Sequence, residues 1–399
     1  MLRLGIAGIG IAAEQVLPNI GSIADTVRLT AVADVRAEAL RAFGVRHPGV
    51  ELFDSVEALC ASDAVDVVWI ATPNEYHAAH AVLAADHGKH VVCEKPMATT
   101  IEQCNAIVAA VEAAGVKYVQ GHSKIYYSVL RRMREVIKSG ELGRVTQINT
   151  WNFNDWLIRP RTPAEERTDL GTGPVFRQAP HQVDIVRYLA GSPVSSVRAV
   201  TARREAGSPE TESDYTALLT FEDGAAATLV FNAQGYFDIV DLTWGIGESG
   251  YRTLDPGSIR PAERRAPMPA EEKWRFQREG DPYGRGRDGG EDKRSLRKPP
   301  FFGLTIVHCE RGVVRQSPDG IFVYDREGRR ELACGAGYLR GAAELMELAD
   351  ALAGEREPFL DAAWGRATLE VCVAILESGA QRRELTLNYQ FPANAVGTW

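Results

Sequence analysis

The chain begins with a short apolar run that is followed at once by a glycine-rich turn. Leu2 to Ala7 form the apolar run, and residues 8–13 then read G-x-G-x-x-A. In this pattern Gly8 makes a tight turn, Gly10 lets a pyrophosphate approach the backbone, and Ala13 lets the next helix pack against the sheet. The free N–H groups at the start of that helix would bind the phosphates. The pattern therefore predicts the strand–turn–helix unit of a dinucleotide-binding domain.

Strands and helices continue to alternate after this unit. Apolar runs at 27–33, 66–71 and 116–120 predict further strands, and residues 101–114 predict a helix. Such alternation favours an α/β fold with a doubly wound parallel sheet. We therefore expect a nucleotide-binding domain over residues 1–122.

An acid ends the second predicted strand. Asp34 follows Ala33 at about the spacing where a carboxylate accepts hydrogen bonds from the adenosine ribose, and it would repel a 2′-phosphate. This favours NAD over NADP. Arg36 leaves NADP open, because a guanidinium there could bind the extra phosphate. Asp34 could also cap the helix predicted to begin near Arg36.

The run HVVCEKPMA, residues 90–98, predicts a buried strand that ends in an acid, a cation and a proline. Pro96 lacks a backbone donor and fixes its own φ, so the chain must leave the sheet there. Lys95 is thus placed at the carboxyl end of a strand, where open α/β sheets bind ligands. It could polarise an oxygen or relay a proton, or it could be a surface lysine.

The rest of the chain predicts a second domain, residues 123–399. Its pattern favours a large, mainly antiparallel sheet with helices on one face, so the whole fold is α/β followed by α+β. Helices are predicted at 127–139, 178–190, 338–353 and 361–379, and strands at 145–153, 194–204, 213–222, 225–234 and 385–389.

Residues 255–300 interrupt this pattern. Of the forty residues 261–300, nineteen are charged, which leaves too little apolar surface to bury a core. We expect a charged insertion at about 255–300: a solvated excursion, a lid, or an arm onto a neighbouring subunit.

Composition excludes several classes of protein. The net charge of −8 does not favour a nucleic-acid partner, and no apolar run is long enough to span a membrane. The six cysteines are scattered without zinc spacing, so we expect reduced thiols and no metal site. No signal peptide is evident at the N-terminus. We expect a cytoplasmic protein.

Three segments carry a family resemblance: GIAGIG, VDVVWIATPNEYHAAHAVLAADHGKHVVCEKPMA and GTGPVFRQAPHQVD. Together they resemble the glucose–fructose oxidoreductase / inositol dehydrogenase (Gfo/Idh/MocA) family over nearly the whole chain. The resemblance implies an NAD-binding Rossmann domain, and a second domain whose sheet joins subunits into a homo-oligomer, a dimer or a tetramer. It also implies a set of cofactor-site residues: Thr72, Pro73, Asn74, His77, Glu94 and Lys95.

The family's catalytic groups are the lysine of E-K-P and an aspartate and histidine in the pattern D-x-G-x-H. Here the histidine matches His181 and the following acid matches Asp184, but Arg177 stands at the aspartate position. An arginine cannot accept a hydrogen bond and instead binds anions. His181 would be the general base, because Lys95 and Arg177 should disfavour its imidazolium form. Alternatively, His181 and Asp184 are structural residues of the helix.

The segment 151–181 holds aromatic side chains, Trp156 among them, and four arginines. Aromatic walls with arginines suit a flat, carboxylated ring, although Arg159, Arg161 and Arg167 could instead form surface pairs with Glu165, Glu166 and Asp169. The strings WNFNDWLIRPR and FRQAPHQVD look like the branch that oxidises cis-dihydrodiols of phthalate, benzoates or chlorobenzoates.

Three functions follow from this resemblance. The leading prediction is NAD-dependent oxidation of a small carboxylated cyclic diol to a catechol. Arg177, Trp156 and Asp184 would bind this substrate, and Lys95 and His181 would act as acid and base. The alternatives are a sugar or inositol dehydrogenase, as most relatives act on polyols, and a regulator that has lost catalysis.

Overall fold

The computed structural model describes residues 1–121, 123–159, 161–203, 210–252, 269, 271–272, 297–337 and 340–393. These residues form two compact units. The first contains Met1–Ser123 and residues 340–370, and the second contains residues 124–337 and Val371–Ala393. The sequence interpretation had placed 340–370 in the second domain. The predicted insertion at 255–300 lies almost entirely outside the described residues.

In the described part of the first unit, six parallel strands form one sheet in the order β3-β2-β1-β4-β5-β6. The order reverses between β1 and β4, which confirms the predicted doubly wound sheet and creates a crevice at the carboxyl ends of these strands. The strands are β1 (Leu2–Ala7), β2 (Val27–Ala33), β3 (Glu51–Phe53), β4 (Val67–Ile70), β5 (His90–Glu94) and β6 (Tyr118–Gly121).

Helices connect these strands. β4 is buried along its whole length, as expected of a parallel strand that helices cover on both faces. The last connecting helix begins where the Thr100 hydroxyl accepts from the Gln103 N–H, and it ends at Gly115, whose φ is +66°. The helices are α1 (Ile11–Ile20), α2 (Ala37–Arg46), α3 (Val56–Ala61), α4 (His77–Asp86) and α5 (Ile101–Ala114).

In the second unit the described residues form a nine-stranded sheet in the order β14-β13-β12-β11-β7-β10-β9-β8-β15. β7 and β10 are parallel and the other neighbours are antiparallel, which confirms the predicted sheet. The strands are β7 (Val145–Phe153), β8 (Val194–Ala202), β9 (Asp214–Phe221), β10 (Ala226–Asn232), β11 (Leu304–Cys309), β12 (Gly312–Ser317), β13 (Gly320–Asp325), β14 (Gly328–Ala333) and β15 (Leu385–Thr386).

Helices α6 (Ser128–Lys138), α7 (Gly173–Arg177) and α8 (Ala179–Ala190) belong to this unit, and α6 and α8 pack on the sheet. Side chains of β9 alternate between the buried Tyr215 side and the opposite side, where Leu218 is exposed. Under α8, the Tyr215 hydroxyl donates to Gln182, whose amide donates to the Val230 carbonyl. These bonds seat the helix that carries His181 on the sheet.

The chain returns to the first unit after residue 340. There it forms α9 (Ala342–Leu352) and the first part of α10 (Ala362–Gln381). The Leu360 carbonyl accepts from the Gln120 N–H at 2.6 Å, so this segment covers the outer edge of β6. Periodicity predicted both helices. The unit to which these helices belong is determined by contacts with residues more than 200 positions away, which periodicity does not encode.

Candidate active site

The glycine turn after β1 has the geometry that nucleotide binding requires. Gly8 has φ +90°, and a Cβ there would lie 2.8 Å from the Ala71 carbonyl oxygen. Both the backbone conformation and the lack of space therefore exclude a side chain. A Cβ on Gly10 would meet no protein atom within 4 Å. Protein packing therefore does not demand glycine at position 10, whereas a pyrophosphate close to the backbone would. Ala13 is fully buried, as close helix–sheet packing requires.

The Asp34 carboxylate at the end of β2 is held by four donors. It accepts from the backbone N–H groups of Ile9 at 3.1 Å and Arg36 at 2.9 Å, and from two guanidinium nitrogens of Arg36 at 2.9 Å each. Burial raises the pKa of Asp34, but these bonds and the Arg36 charge outweigh it and hold the pKa below its ordinary value. Arg36 occupies the N-cap position of α2, so the alternative that Asp34 caps this helix is wrong.

His77 links the loops that follow β4 and β5. The residue is 1% exposed, with Nδ1 2.7 Å from the Pro96 carbonyl oxygen and Nε2 2.9 Å from the Thr72 carbonyl oxygen. Asn74 is also buried, whereas Pro73 is exposed. The structure thus places His77 where it fixes the loop that contains Thr72 relative to the loop that contains Lys95.

The carboxyl end of β5 is fixed by two residues that the sequence interpretation missed. Arg340 donates to both oxygens of Glu94, at 3.1 and 3.2 Å, and the buried Gln120 amide donates to the Cys93 and Glu94 carbonyls. Lys95 follows directly and is half-buried. A glutamine inside the apolar strand YVQG was a usable signal for Gln120. Arg340 had none, because its partner lies 246 residues away.

A buried acid organises the glycine-rich segment before His181. Glu212 accepts from the Val175 N–H at 2.6 Å and from the Thr168 hydroxyl at 2.5 Å. Burial raises its pKa, although these hydrogen bonds act in the opposite direction. Gly173 has φ +83°, and a Cβ there would clash with the Thr211 side chain. The turn into α7 and α8 is thus fixed around Glu212, which the sequence interpretation also missed.

His181 lies in the first turn of α8 and is 6% exposed. Its ring meets the Phe302 ring edge-on, with 4.8 Å between centroids. Asp184 is almost fully buried, and its Oδ1 lies 3.9 Å from Nη1 of Arg187 on the same helix. This pairing favours a structural role for Asp184, so its place in substrate binding stays a prediction.

Arg177 and Trp156 belong to one cluster. Nη2 of Arg177 donates to Oε1 of Glu165 at 2.9 Å, and Oε2 of Glu165 accepts from the N–H and hydroxyl of Thr162 at 2.9 and 3.0 Å. The Arg161 guanidinium lies 3.8 Å from Oε1 of Glu165 and 4.1 Å above the Trp156 ring centroid. Cation–π stacking and a shared acid therefore connect both predicted substrate-binding residues.

The arginines expected to form surface pairs differ among themselves. Arg167 does pair with Asp169, in an exposed position, as predicted. Arg161 contacts Glu165 but is buried, so it is not a surface pair. Arg159 pairs with Asp155 at 2.6 Å, an acid that was not among those named for it.

A buried lysine near His181 was not anticipated from the sequence. Lys124 donates to the Tyr127 hydroxyl at 2.7 Å and to Oε2 of Glu248 at 2.8 Å. Burial lowers its pKa, but the Glu248 carboxylate and Tyr127 outweigh burial and raise the pKa above its ordinary value. Its ammonium also lies 5.5 Å from the ring centroid of Phe302, the same ring that contacts His181.

The described residues contain neither a membrane-spanning helix nor a cluster of metal ligands. Among them, no helix has the length and apolarity needed to cross a membrane. Nor do these residues bring three or more histidine, cysteine, aspartate or glutamate side chains together in a way that could hold a metal ion.

Known proteins resemble both units. Residues 2–122 match the oxidoreductase family with an NAD-binding Rossmann fold, and residues 130–240 match the GFO/IDH/MocA C-terminal domain. The chain is 34% identical to 1-carboxy-3-chloro-3,4-dihydroxycyclohexa-1,5-diene dehydrogenase of Comamonas testosteroni, over 95% of both chains. It is 29% identical to inositol 2-dehydrogenase 3 of Saccharopolyspora erythraea, over 65% of this chain and 78% of that one.

Solved structures agree with this assignment. A dehydrogenase from Bordetella bronchiseptica superposes with a TM-score of 0.86 at 34% identity, covering 97% of this chain and all of that one. Levoglucosan dehydrogenase in complex with NADH and levoglucosan has the same fold, with a TM-score of 0.73 at 18% identity over 96% and 99% of the two chains. The chain is thus a member of the Gfo/Idh/MocA oxidoreductase family, and its first unit is an NAD-binding Rossmann domain.

Proposed function

We propose that this protein uses NAD⁺ to oxidise a carboxylated aromatic cis-dihydrodiol, of the phthalate or chlorobenzoate type, to the corresponding catechol. The observation that carries the proposal is Arg177, which stands where the family pattern has an aspartate and lies in a cluster with Arg161 and Trp156. Guanidinium groups beside an aromatic ring suit a flat anion better than a neutral polyol. The relative from Comamonas testosteroni, whose name describes such a substrate, supports the same conclusion.

In this reaction the residues of the chain manage the proton. NAD⁺, when bound, supplies the hydride acceptor. His181 would take the proton of the reacting hydroxyl, and Lys95 would donate a hydrogen bond to that oxygen as negative charge develops on it. The ketone formed enolises to the catechol, so diol and NAD⁺ give catechol, NADH and one proton. Aromatisation makes oxidation the favoured direction.

Turnover with a panel of alcohols tests the proposal. The purified protein is given NAD⁺ with cis-dihydrodiols of benzoate, chlorobenzoate and phthalate, with the unsubstituted benzene cis-dihydrodiol, and with inositols and aldoses. We expect the carboxylated diols to have a kcat/KM at least tenfold above that of the unsubstituted diol, and polyols to be poorer still. Preference for a polyol would establish the alternative dehydrogenase, and NAD⁺ binding without any turnover would indicate a regulator.

We also propose that copies of the chain associate through the face of the second sheet opposite α8. Residues paired across neighbouring strands on this face include Val200, Thr216, Val230 and Trp151, and Val200 and Trp151 are exposed apolar side chains. Analytical ultracentrifugation should show a dimer or tetramer that Val200→Asp weakens. A native protein that sediments as a monomer at micromolar concentration would contradict this.

A further inference from the structure

The Lys124 ammonium is largely enclosed and lies beside a more exposed carboxylate. The Lys124 side chain is 11% exposed, while that of its partner Glu248 is 35% exposed. Nζ of Lys124 donates to Oε2 of Glu248 at 2.8 Å and to the Tyr127 hydroxyl at 2.7 Å, and it lies 5.1 Å from the Tyr127 ring centroid. A buried ammonium needs an anion beside it, so a carboxylate at this position is a structural requirement.

The wall of this site is the ring that also contacts His181. Phe302 lies 5.5 Å from the Lys124 ammonium and meets the His181 ring at 4.8 Å between centroids. Lys124 and His181 therefore contact the same aromatic side chain. A substrate carboxylate on the ammonium would therefore lie beside the aromatic side chain that His181 contacts.

The turn that carries Glu248 is held by the segment that leads into Phe302. The Phe301 N–H donates to the Gly247 carbonyl at 3.1 Å, and the Lys298 N–H donates to the Gly250 carbonyl at 2.8 Å. Backbone bonds thus fix the turn on both sides of Glu248. Because the backbone holds the turn, displacement of the Glu248 side chain from the ammonium would not require the turn to move.

We propose that Lys124 binds the substrate carboxylate and that Glu248 occupies this position until the substrate displaces it. The exchange replaces one carboxylate with another, so the ammonium keeps an anionic partner throughout and its desolvation penalty stays compensated. The inference rests on the proposed function for the identity of the carboxylated substrate. In this proposal Lys124 is a second cation, besides Arg177, that binds the substrate carboxylate. Glu248 competes with the substrate for that cation.

Benzoate, which carries the carboxylate and the ring but cannot react, is the probe. Isothermal titration calorimetry with the NADH-bound protein should show at least tenfold weaker binding of benzoate to Lys124→Met, since the cation is lost. Glu248→Gln should bind benzoate about tenfold more tightly, because a neutral amide competes less well for the ammonium. Lys298→Met is the matched control: it breaks an exposed pair with Asp319 on the neighbouring segment and should bind benzoate as the native protein does.

Two outcomes would overturn the inference. One is the same benzoate affinity in the native protein, Lys124→Met and Glu248→Gln. The other is a lower melting temperature of Glu248→Gln with unchanged benzoate affinity, which would make the pair purely structural. Should Lys124→Met fail to fold, the gain in Glu248→Gln still decides the question. Benzoate binding that responds as expected, with no turnover of any dihydrodiol, would refute the proposed function and leave the carboxylate site intact.

Discussion

Acids in the first unit and in the second are neutralised differently. In the first unit the two acids among the predicted cofactor residues each pair with one arginine: Asp34 pairs with Arg36, and Glu94 pairs with Arg340. Each pair is neutral as a whole. A dinucleotide is anionic mainly at its pyrophosphate, which the N-terminus of α1 would bind, so balanced pairs elsewhere neither attract nor repel it strongly.

In the second unit one carboxylate contacts two arginines. Glu165 lies 2.9 Å from Arg177 and 3.8 Å from Arg161, so these three side chains together carry a net positive charge. The acid cannot turn away, because its other oxygen is held by Thr162. If the proposed function is right, the surplus positive charge in the second unit would attract the substrate anion, whereas the balanced pairs of the first unit add no net charge.

The largest effect we expect is on the catalytic rate and not on cofactor binding. Lys95→Met should lower kcat about a hundredfold or more, the scale of a positioned acid–base group, and leave the Kd for NAD⁺ within about twofold. Steady-state kinetics and fluorescence titration measure the two quantities. Lys117→Met, which removes a lysine from an exposed pair at the amino end of β6, is the control and should change neither. Near-native turnover of Lys95→Met would remove Lys95 from the mechanism.

Arg177→Gln should affect binding of the anion. A charge-assisted hydrogen bond of this kind corresponds to roughly a ten- to hundredfold increase in KM for the carboxylated diol. NAD⁺ affinity and the KM of a diol without a carboxylate should hardly change. Arg167→Gln, at an exposed pair, is the control. An equal increase in KM for both diols would mean that Arg177 shapes the site without binding the carboxylate. The contrast between the charges of the two units would then have no role in substrate binding.

Asp34→Ala should leave the positive charge of Arg36 in the first unit without its balancing carboxylate. Without its partner the Arg36 guanidinium can bind a 2′-phosphate, so we expect kcat/KM to rise about tenfold with NADP⁺ and to fall about tenfold with NAD⁺. The double variant Asp34→Ala/Arg36→Ala should lose the gain with NADP⁺. A native protein that already prefers NADP⁺ would contradict the interpretation of this pair.

Glu165→Gln should have the smallest effect, on stability. A glutamine has only one acceptor oxygen, so if it still accepts from Thr162 its NH₂ group faces the Arg177 guanidinium and that bond is lost, at a cost of about 1 kcal/mol in the free energy of unfolding. Urea denaturation measures this change. The control is Asp169→Asn, which alters the exposed pair with Arg167 and should unfold as the native protein does. An equally small change in both would show that the shared acid adds nothing to the cluster.

Local pattern was sufficient to predict most elements of the fold. The predicted strands 27–33 and 145–153 and the helix 101–114 have the bounds that the structure shows, because each is defined by its own periodicity and end signals. Gly8 and Ala13 also have the geometry expected of them, since the strand–turn–helix unit is compact in sequence.

Most of the unpredicted features depend on partners that are far away in the sequence. The role we propose for Lys124 depends on its contacts with Glu248 and Phe302, which are 124 and 178 residues away. Nothing in the string GHSKIYY indicates these contacts. Glu165 differs, because its partner Arg177 is only 12 residues away: its capping of a local turn could be predicted, but no periodic pattern connects it with Arg177. Sequence patterns report which face of an element is buried, and not what lies against it.

The return of residues 340–370 to the first unit has a consequence for synthesis of the chain on the ribosome. β6 is an outer strand, and one of its N–H groups, at Gln120, is satisfied by Leu360. About 240 residues must be made between the two. At 5–20 residues per second this takes roughly 10 to 50 seconds, during which the edge of β6 is open to pairing with another nascent chain. The enzyme's first unit is encoded first but completed late, so its sheet edge stays exposed for longer than that of a unit encoded in one continuous segment.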